Sequence, residues 1–422
     1  MYQSSYFIKA SYITASFFFL LGLISCTKEK DLMLPNNSIL EVFDITTTSA
    51  KIVVTLDSDG GGTIIRNGFC WGSSPNPTID DNSIDLSNSL GGFVSQIKDL
   101  LPNTTYFVRS YVDNGLGLSY SNEYSFETLE IPTIKEDVVI RSNGILELLG
   151  KNKIERIEGN LTIRSDFYEP NISSLENLKH LKEVSGSLTI SYLGDLKSLE
   201  GLNQLEIIGG GLIIRNNSEL QSIEALENLK SIGGDIEIEY NNSLRKISGF
   251  GQISTLNGSL SIYGNDDLFS LEGLESIEEI KGGVSIGNSK IVNFEGLNNL
   301  SEVGGNFSID YNRSLSSLSG LENLKVIRQS LGLFSNDKLE NLKGLEGLVE
   351  IYSELNIYFN HDLISLEGLN SLKDVEYINI YDNRKLNDYC DIKGLIDQYN
   401  FSIFYNKYNP SWEDFRRGNC SD

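Results

Sequence analysis

From Ile134 onward the sequence repeats itself about every 24 residues, and this period constrains the fold more than any other feature. The apolar residues that close each short apolar segment are Ile140, Ile163, Ile190, Ile214, Ile238, Ile262, Ile286, Ile309, Leu333, Ile357, Ile380 and Ile403. The steps between them are 23, 27, 24, 24, 24, 24, 23, 24, 24, 23 and 23. Twelve units with so little drift exclude a chance pattern. A unit of this size cannot bury its own apolar face, so the units must stack into a solenoid.

One unit shows how a coil is built. In Gly233-Gly234-Asp235-Ile236-Glu237-Ile238-Glu239-Tyr240-Asn241, Ile236 and Ile238 lie two apart and point inward from a strand, while Glu237 and Glu239 point out. Asn241 follows three residues after Ile238. Its equivalents are Asn143, Asn217, Asn265, Asn312, Asn336, Asn360, Asn383 and Asn406. An Asn at a fixed turn bonds neighbouring backbone and tolerates left-handed geometry, so the stack predicts an Asn ladder. Asp166 stands in for one rung, Leu193 breaks the ladder and Asn288 is displaced by one residue.

Further along each unit, apolar residues recur three apart, as in Leu268, Leu271, Leu274, Ile277 and Ile280, which predicts 3₁₀-like turns opposite the strand. A small residue precedes the third of these (Gly201, Ala225, Gly249, Gly273, Gly296, Gly320, Gly344, Gly368), where adjacent coils crowd. Glycine pairs such as Gly233-Gly234 and Gly304-Gly305 turn the chain into the next strand.

The pattern L-x-x-I-G-G-x-L-x-I-x-x-N, seen at Leu300 to Asn312, resembles both the leucine-rich repeat and the receptor L-domain, over roughly residues 134–408. The resemblance implies a right-handed, mainly β solenoid of about twelve coils with one parallel sheet, placed at 131–386. Residues 387–422 break the period and hold the last coil and a cap. There Cys390 and Cys420 are expected to pair around Trp412 and Phe415.

Residues 38–130 read differently, as period-2 strands separated by turn residues. Leu101-Pro102-Asn103-Thr104-Thr105-Tyr106 resembles the corner segment of fibronectin type III domains, where the Tyr caps a backbone group. The sequence departs from that family in lacking a Trp on the early strand. Such modules serve as spacers or binders. Cys70 falls within an apolar strand pattern and is expected to be a small buried residue.

Residues 1–25 carry Lys9 and then an apolar run from Ala15 to Ile24, too short to span a membrane and of the length of a secretory signal. It ends in Leu23-Ile24-Ser25-Cys26, which resembles the lipobox of bacterial lipoproteins. The resemblance implies acylation of Cys26 and a tether over 26–37. With no Asp after the Cys, it also implies outer-membrane sorting, and the charged run Thr27-Lys28-Glu29-Lys30-Asp31 resembles surface-export signals, which implies a surface-exposed anchor. An ordinary secretion signal that happens to hold a Cys is the other reading.

Composition removes several function classes. The chain has 34 Lys+Arg against 58 Asp+Glu, a formal charge of −24, which disfavours nucleic acid and anionic membrane as partners. The two histidines, His180 and His361, are far apart in sequence, and no cofactor or metal site is expected. Outward Glu237 and Glu239 share one coil while Asp310 lies three coils on, so the carboxylates are not clustered, and Arg164 and Arg215 lie coils away; a polysaccharide-degrading β-helix enzyme is disfavoured and the chain reads as non-enzymatic.

The residue after each strand-closing position is aromatic at Tyr263 and then on four consecutive units, Phe334, Tyr358, Tyr381 and Phe404, beside Asn356 and Asn379. An exposed aromatic stripe points to recognition of an extracellular protein or polysaccharide. The competing reading is a ladder that only stabilises the stack or packs under the cap, in a passive envelope protein with no specific ligand. Tyr240, Tyr311, Phe359 and Tyr405 fall one residue later and extend either version.

Overall fold

The computed structural model describes residues 31–86, 92–165, 172–397 and 400–422. The segment expected to be signal and lipobox, including Cys26, lies outside the described residues, as does Asp166. The chain divides into two compact units, one ending at Glu130 and one running from Ile131 to Asp422.

The first unit is two antiparallel sheets. One joins Asn36–Phe43, Ala50–Ser58 and Phe93–Ile97; the other joins Arg66–Gly72, Asn82–Leu86, Thr105–Asp113, Leu118–Tyr120 and Tyr124–Glu127. Alternate residues of both sheets (Ile52 and Val54 from one, Phe69 and Val108 from the other) share one buried core. The strand expected from Thr63 begins only at Arg66, and the one expected from Ser119 to Thr128 is interrupted. Tyr106 reaches back so that its Oη accepts the Leu101 N–H at 3.0 Å. Cys70 is fully buried, its thiol facing the Pro77 carbonyl at 3.2 Å, and burial pushes its pKa up to about 11.

The second unit is the solenoid. Its main sheet carries one strand per repeat, numbered here as coils 1 to 12: Val138–Ile140, Leu161–Arg164, Leu188–Ser191, Leu212–Arg215, Ile236–Glu239, Leu260–Tyr263, Val284–Gly287, Phe307–Asp310, Leu331–Phe334, Glu350–Tyr358, Asp374–Tyr381 and Phe401–Phe404. All twelve pair in parallel, and the register puts each strand-closing residue beside the next, Ile238 against Ile262 for example. The reason is steric. The strand's buried–half-buried alternation, as over Ile236–Glu239, leaves only this register with both apolar residues inside.

The single sheet expected is not the whole of it. The apolar residue shortly before each main strand forms a second, two-residue parallel ladder, running through Arg156–Ile157, Glu183–Val184, Ile207–Ile208 and Ser231–Ile232, with equivalents from Thr255–Leu256 to Val326–Ile327. Opposite the strands the chain makes tight turns, three of which among the described residues are 3₁₀ helices: Glu176–Leu178, Glu224–Leu226 and Cys390–Ile392. Leu268, Leu271, Leu274, Ile277 and Ile280 all point into the core and are fully buried.

The small position meets two demands at once. At Gly320 the backbone has φ +104°, and an added Cβ would lie 2.2 Å from the Phe294 carbonyl oxygen of the preceding coil. Ala225 is the exception because there the chain turns as a 3₁₀ helix instead.

Two helices cover the ends of the repeat. Asn143–Lys151 occupies the first coil, so Asn143 is exposed in a helix and not a ladder rung, a correction to the sequence expectation. At the far end Cys390 and Cys420 are disulfide-bonded. The helix Trp412–Arg417 is held there by a capping box between Ser411 and Asp414, and it buries Phe415 against Tyr389 and Phe401.

Candidate functional site

The outward face is positioned by the turn that ends each strand. Asn217, Asn241, Asn265, Asn312, Asn336, Asn360 and Asn383 are all fully buried there. Each side-chain amide donates to the carbonyl of the strand-closing residue one coil back, as Asn336 Nδ2 does to Ile309 O at 2.8 Å. Except at Asn312, each amide oxygen accepts the backbone N–H of the preceding coil's equivalent residue, as Asn336 Oδ1 does from Asn312 at 3.1 Å. The ladder starts where the Leu193 N–H donates to Asn217 and ends where Asn406 donates to Asn409. Between Asn265 and Asn312 the rung is Ser289, whose Oγ donates to Asn312 Oδ1 at 2.8 Å.

Asn288 is not a shifted rung. It takes the place before the rung, with φ +48°. That place, and not the ladder Asn, is where the chain goes left-handed in coil after coil, at Tyr192, Asn216, Tyr240, Tyr311, Ser335, Phe359, Asp382 and Tyr405. Left-handed geometry costs a bulky residue about 1–2 kcal/mol, yet five of these positions are aromatic and exposed.

On the strand side of that turn, Phe334, Tyr358, Tyr381 and Phe404 are register partners on coils 9 to 12. Phe334 and Tyr358 pack with their rings tilted at 53° and centroids 5.3 Å apart, and Tyr358 meets Tyr381 edge-on at 6.4 Å. Phe359 and Tyr405, from the left-handed turns, contact Tyr381 edge-on at 5.7 and 5.1 Å. Exposure rises along the row. Phe334 and Tyr358 are half-buried, whereas Tyr381 is 39% and Phe404 58% exposed. Phe334 is sheltered because its ring folds over Gly332, where any Cβ would sit 2.3 Å from Phe334 Cε2.

The rings that fill the cap (Tyr389, Tyr408, Phe401, Phe415) form a separate set, and none of the ring contacts found among the described residues joins them to the stripe. Tyr263 is also apart from it. Its ring lies over Gly287, meets Tyr240 at 6.2 Å and is divided from Phe334 by Gly287 and Asp310. Burial, and then the nearby Asp310 carboxylate, raise the Tyr263 pKa. Burial likewise raises that of Asp310, partly offset by Ser308 Oγ, which donates to both its oxygens at 2.9 Å.

A polar row runs beside the rings. Asn356 Oδ1 accepts from Tyr358 Oη and from Asn379 Nδ2, both at 2.9 Å, while its own amide donates to Glu354. Ser402 Oγ is 3.1 Å from Tyr377 Oη. Between the rows is a depression of about 320 Å³, with Tyr358, Phe359, Tyr381 and Phe404 on its apolar side and Asn379 and Ser402 on its polar side. It has the mixed lining of a binding surface and no acid–base pair. Ser402 and Tyr377 escaped the sequence reading. An alternate-residue scan of the last strands for outward hydroxyls would have found them.

Residues 153–250 match the family model of the receptor L domain. No curated protein matches the chain. Among solved structures, the long form of the sensor domain of the anti-sigma factor RsgI4 of Pseudobacteroides cellulosolvens is similar at 24% identity, over 23% of this chain and 91% of that one, with a TM-score of 0.19. A computationally redesigned β-sandwich protein is similar at 29% identity, over 24% of this chain and 99% of its own, also with a TM-score of 0.19.

Proposed function

We propose that this is a non-enzymatic, lipid-anchored protein of the bacterial cell surface, whose solenoid recognises an extracellular protein or glycan through the outward face of its last coils. The carrying observation is the exposed end of the aromatic row: Tyr381 and Phe404 stand out from a sheet whose register holds them rigidly in line. The receptor L domain match over 153–250 is compatible with binding. The lipobox-like Leu23-Ile24-Ser25-Cys26 supports the anchor at Cys26 and export to the outer membrane. The fibronectin type III-like stretch at 101–106 supports a spacer or accessory binder. No helix among the described residues is long and apolar enough to cross a membrane.

The half-buried Phe334 and Tyr358 favour a second reading for their part of the row, in which the rings only stabilise stacking. The two are separated by testing the purified chain against extracellular-matrix proteins and polysaccharides, beside a variant carrying Phe334→Ser, Tyr358→Ser, Tyr381→Ser and Phe404→Ser. Loss of a ligand with unchanged melting supports recognition. A ligand retained by the folded variant, or no ligand at all, refutes it, and early melting assigns the row to structure.

A further inference from the structure

We infer that the depression on coils 10 to 12 takes a neutral oligosaccharide, laid along the ring row with its hydroxyls on the Asn379 and Ser402 side. This rests on the reading that the outward face is the recognition surface.

Charge is the first indication. The chain carries 58 acidic residues against 34 basic ones, yet no side chain lining this depression bears a formal charge. A polyanion meets a repelling protein with no cation to receive it, and a cation finds no carboxylate among the lining residues. A neutral ligand incurs neither penalty.

The second is the pairing of rows. Register sets Tyr358, Tyr381 and Phe404 in one line and Asn356, Asn379 and Ser402 in another, two residues away along each strand. Each coil therefore offers one ring and one uncharged polar group, repeated every strand spacing of about 4.8 Å. A linked sugar chain has the matching repeat: an apolar C–H face for the rings and hydroxyls at its edge for the amides. Three rings in line span roughly 10 Å, longer than one sugar ring, so the geometry suits a chain over a monosaccharide.

The third is spare hydrogen-bonding capacity. Asn356 has its carbonyl oxygen filled by Tyr358 and Asn379 and spends one amide hydrogen on Glu354, so it has only a second amide hydrogen to give. Asn379 uses one amide hydrogen on Asn356, and among the described residues its carbonyl oxygen has no partner. It can thus both give and accept one bond, as a hydroxyl requires. The platform is also preorganised, since Phe359 and Tyr405 hold the Tyr381 ring from two sides.

The test titrates the purified full chain with neutral hexasaccharides of β-glucan, xylan and mannan type, with polygalacturonate and heparin as anionic comparators. Binding of at least one neutral chain is expected, with little dependence on salt. It should weaken at least about tenfold in Tyr381→Ala and in Phe404→Ala, weaken less in Asn379→Ala, and persist in Tyr381→Phe. Tyr352→Ala, an exposed aromatic outside the row, should bind as the parent does. Phe404 makes no ring contact found among the described residues, so Phe404→Ala reports on binding even if Tyr381→Ala melts early. No neutral glycan bound, preference for a polyanion, or binding indifferent to Phe404→Ala and Asn379→Ala overturns the inference. If an extracellular protein is bound through these rings while every neutral glycan fails, the glycan falls and the recognition face stands. If ring substitutions leave every ligand bound, both fall.

Discussion

Removing one rung of the Asn ladder tests whether it holds the coils together. In Asn336→Ala two buried backbone groups lose the bond they make to this side chain, the Asn312 N–H (3.1 Å) and the Ile309 carbonyl (2.8 Å). Each unsatisfied buried group costs about 1–3 kcal/mol. The Asn336 N–H keeps its bond to Asn360 Oδ1 at 2.9 Å, so the damage stays at one rung. The expected loss is about 2–5 kcal/mol, the spread reflecting whether a water can enter.

Asn336→Asp sharpens the test. The carboxylate still accepts from Asn312 but cannot donate to Ile309, and it sits charged among fully buried neighbours. Burial must raise its folded pKa above the unfolded value of about 3.9. A raised folded pKa means stability that is fully present below the unfolded pKa and is lost as pH rises through the folded one. Asn336→Asp should therefore be much closer to the parent near pH 4 than at pH 8, while Asn336→Ala should show no such trend. Urea unfolding followed by far-ultraviolet circular dichroism gives the free energies. Hydrogen exchange at the Asn312 amide localises the effect, since a solenoid can open in parts. An Asn336→Ala cost within about 0.5 kcal/mol of zero, or unchanged exchange at Asn312, would refute the claim that the ladder stabilises the stack.

Three further outcomes follow from the same geometry. Gly320→Ala meets both a left-handed φ of +104° and a carbonyl 2.2 Å away, so a loss of about 2–4 kcal/mol is expected; Ala225→Gly, in its 3₁₀ turn, should lose no more than about 1 kcal/mol in the same urea assay. Opening the Cys390–Cys420 loop, whose ends are 30 residues apart, with Cys390→Ser and Cys420→Ser should cost about 3–4 kcal/mol, read from the Trp412 fluorescence transition of the cap. Cys70, buried and with its pKa raised to about 11, should resist alkylation in the native chain at pH 8 and react fully once urea unfolds it.

Much of this protein was legible in the residues because a stacked repeat writes its contacts at constant spacing. Ile236 and Ile238 declare a strand, Asn241 a rung, and Gly249 a close approach, and every neighbouring coil says the same thing again. The aromatic row was legible for that reason too: residues 23 or 24 apart must become register partners. Three things were not legible locally. Asn143 carries the rung's spacing, but with no coil before it the chain there is free to become a helix. Asn288 looks like a rung slipped by one; only the backbone shows that it occupies the left-handed place and that Ser289 supplies the bond. The four stripe rings are equivalent in sequence, yet Gly332 draws Phe334 down onto the sheet while Phe404, at the end of the stack, stays exposed. The sequence by itself thus determined the repeat, the inward and outward faces and the polar ladder, since these depend on spacing along the chain. Only the tertiary structure decided which turn residue bears the left-handed strain and which rings remain open to a ligand, because burial depends on the neighbours that stacking brings above and below.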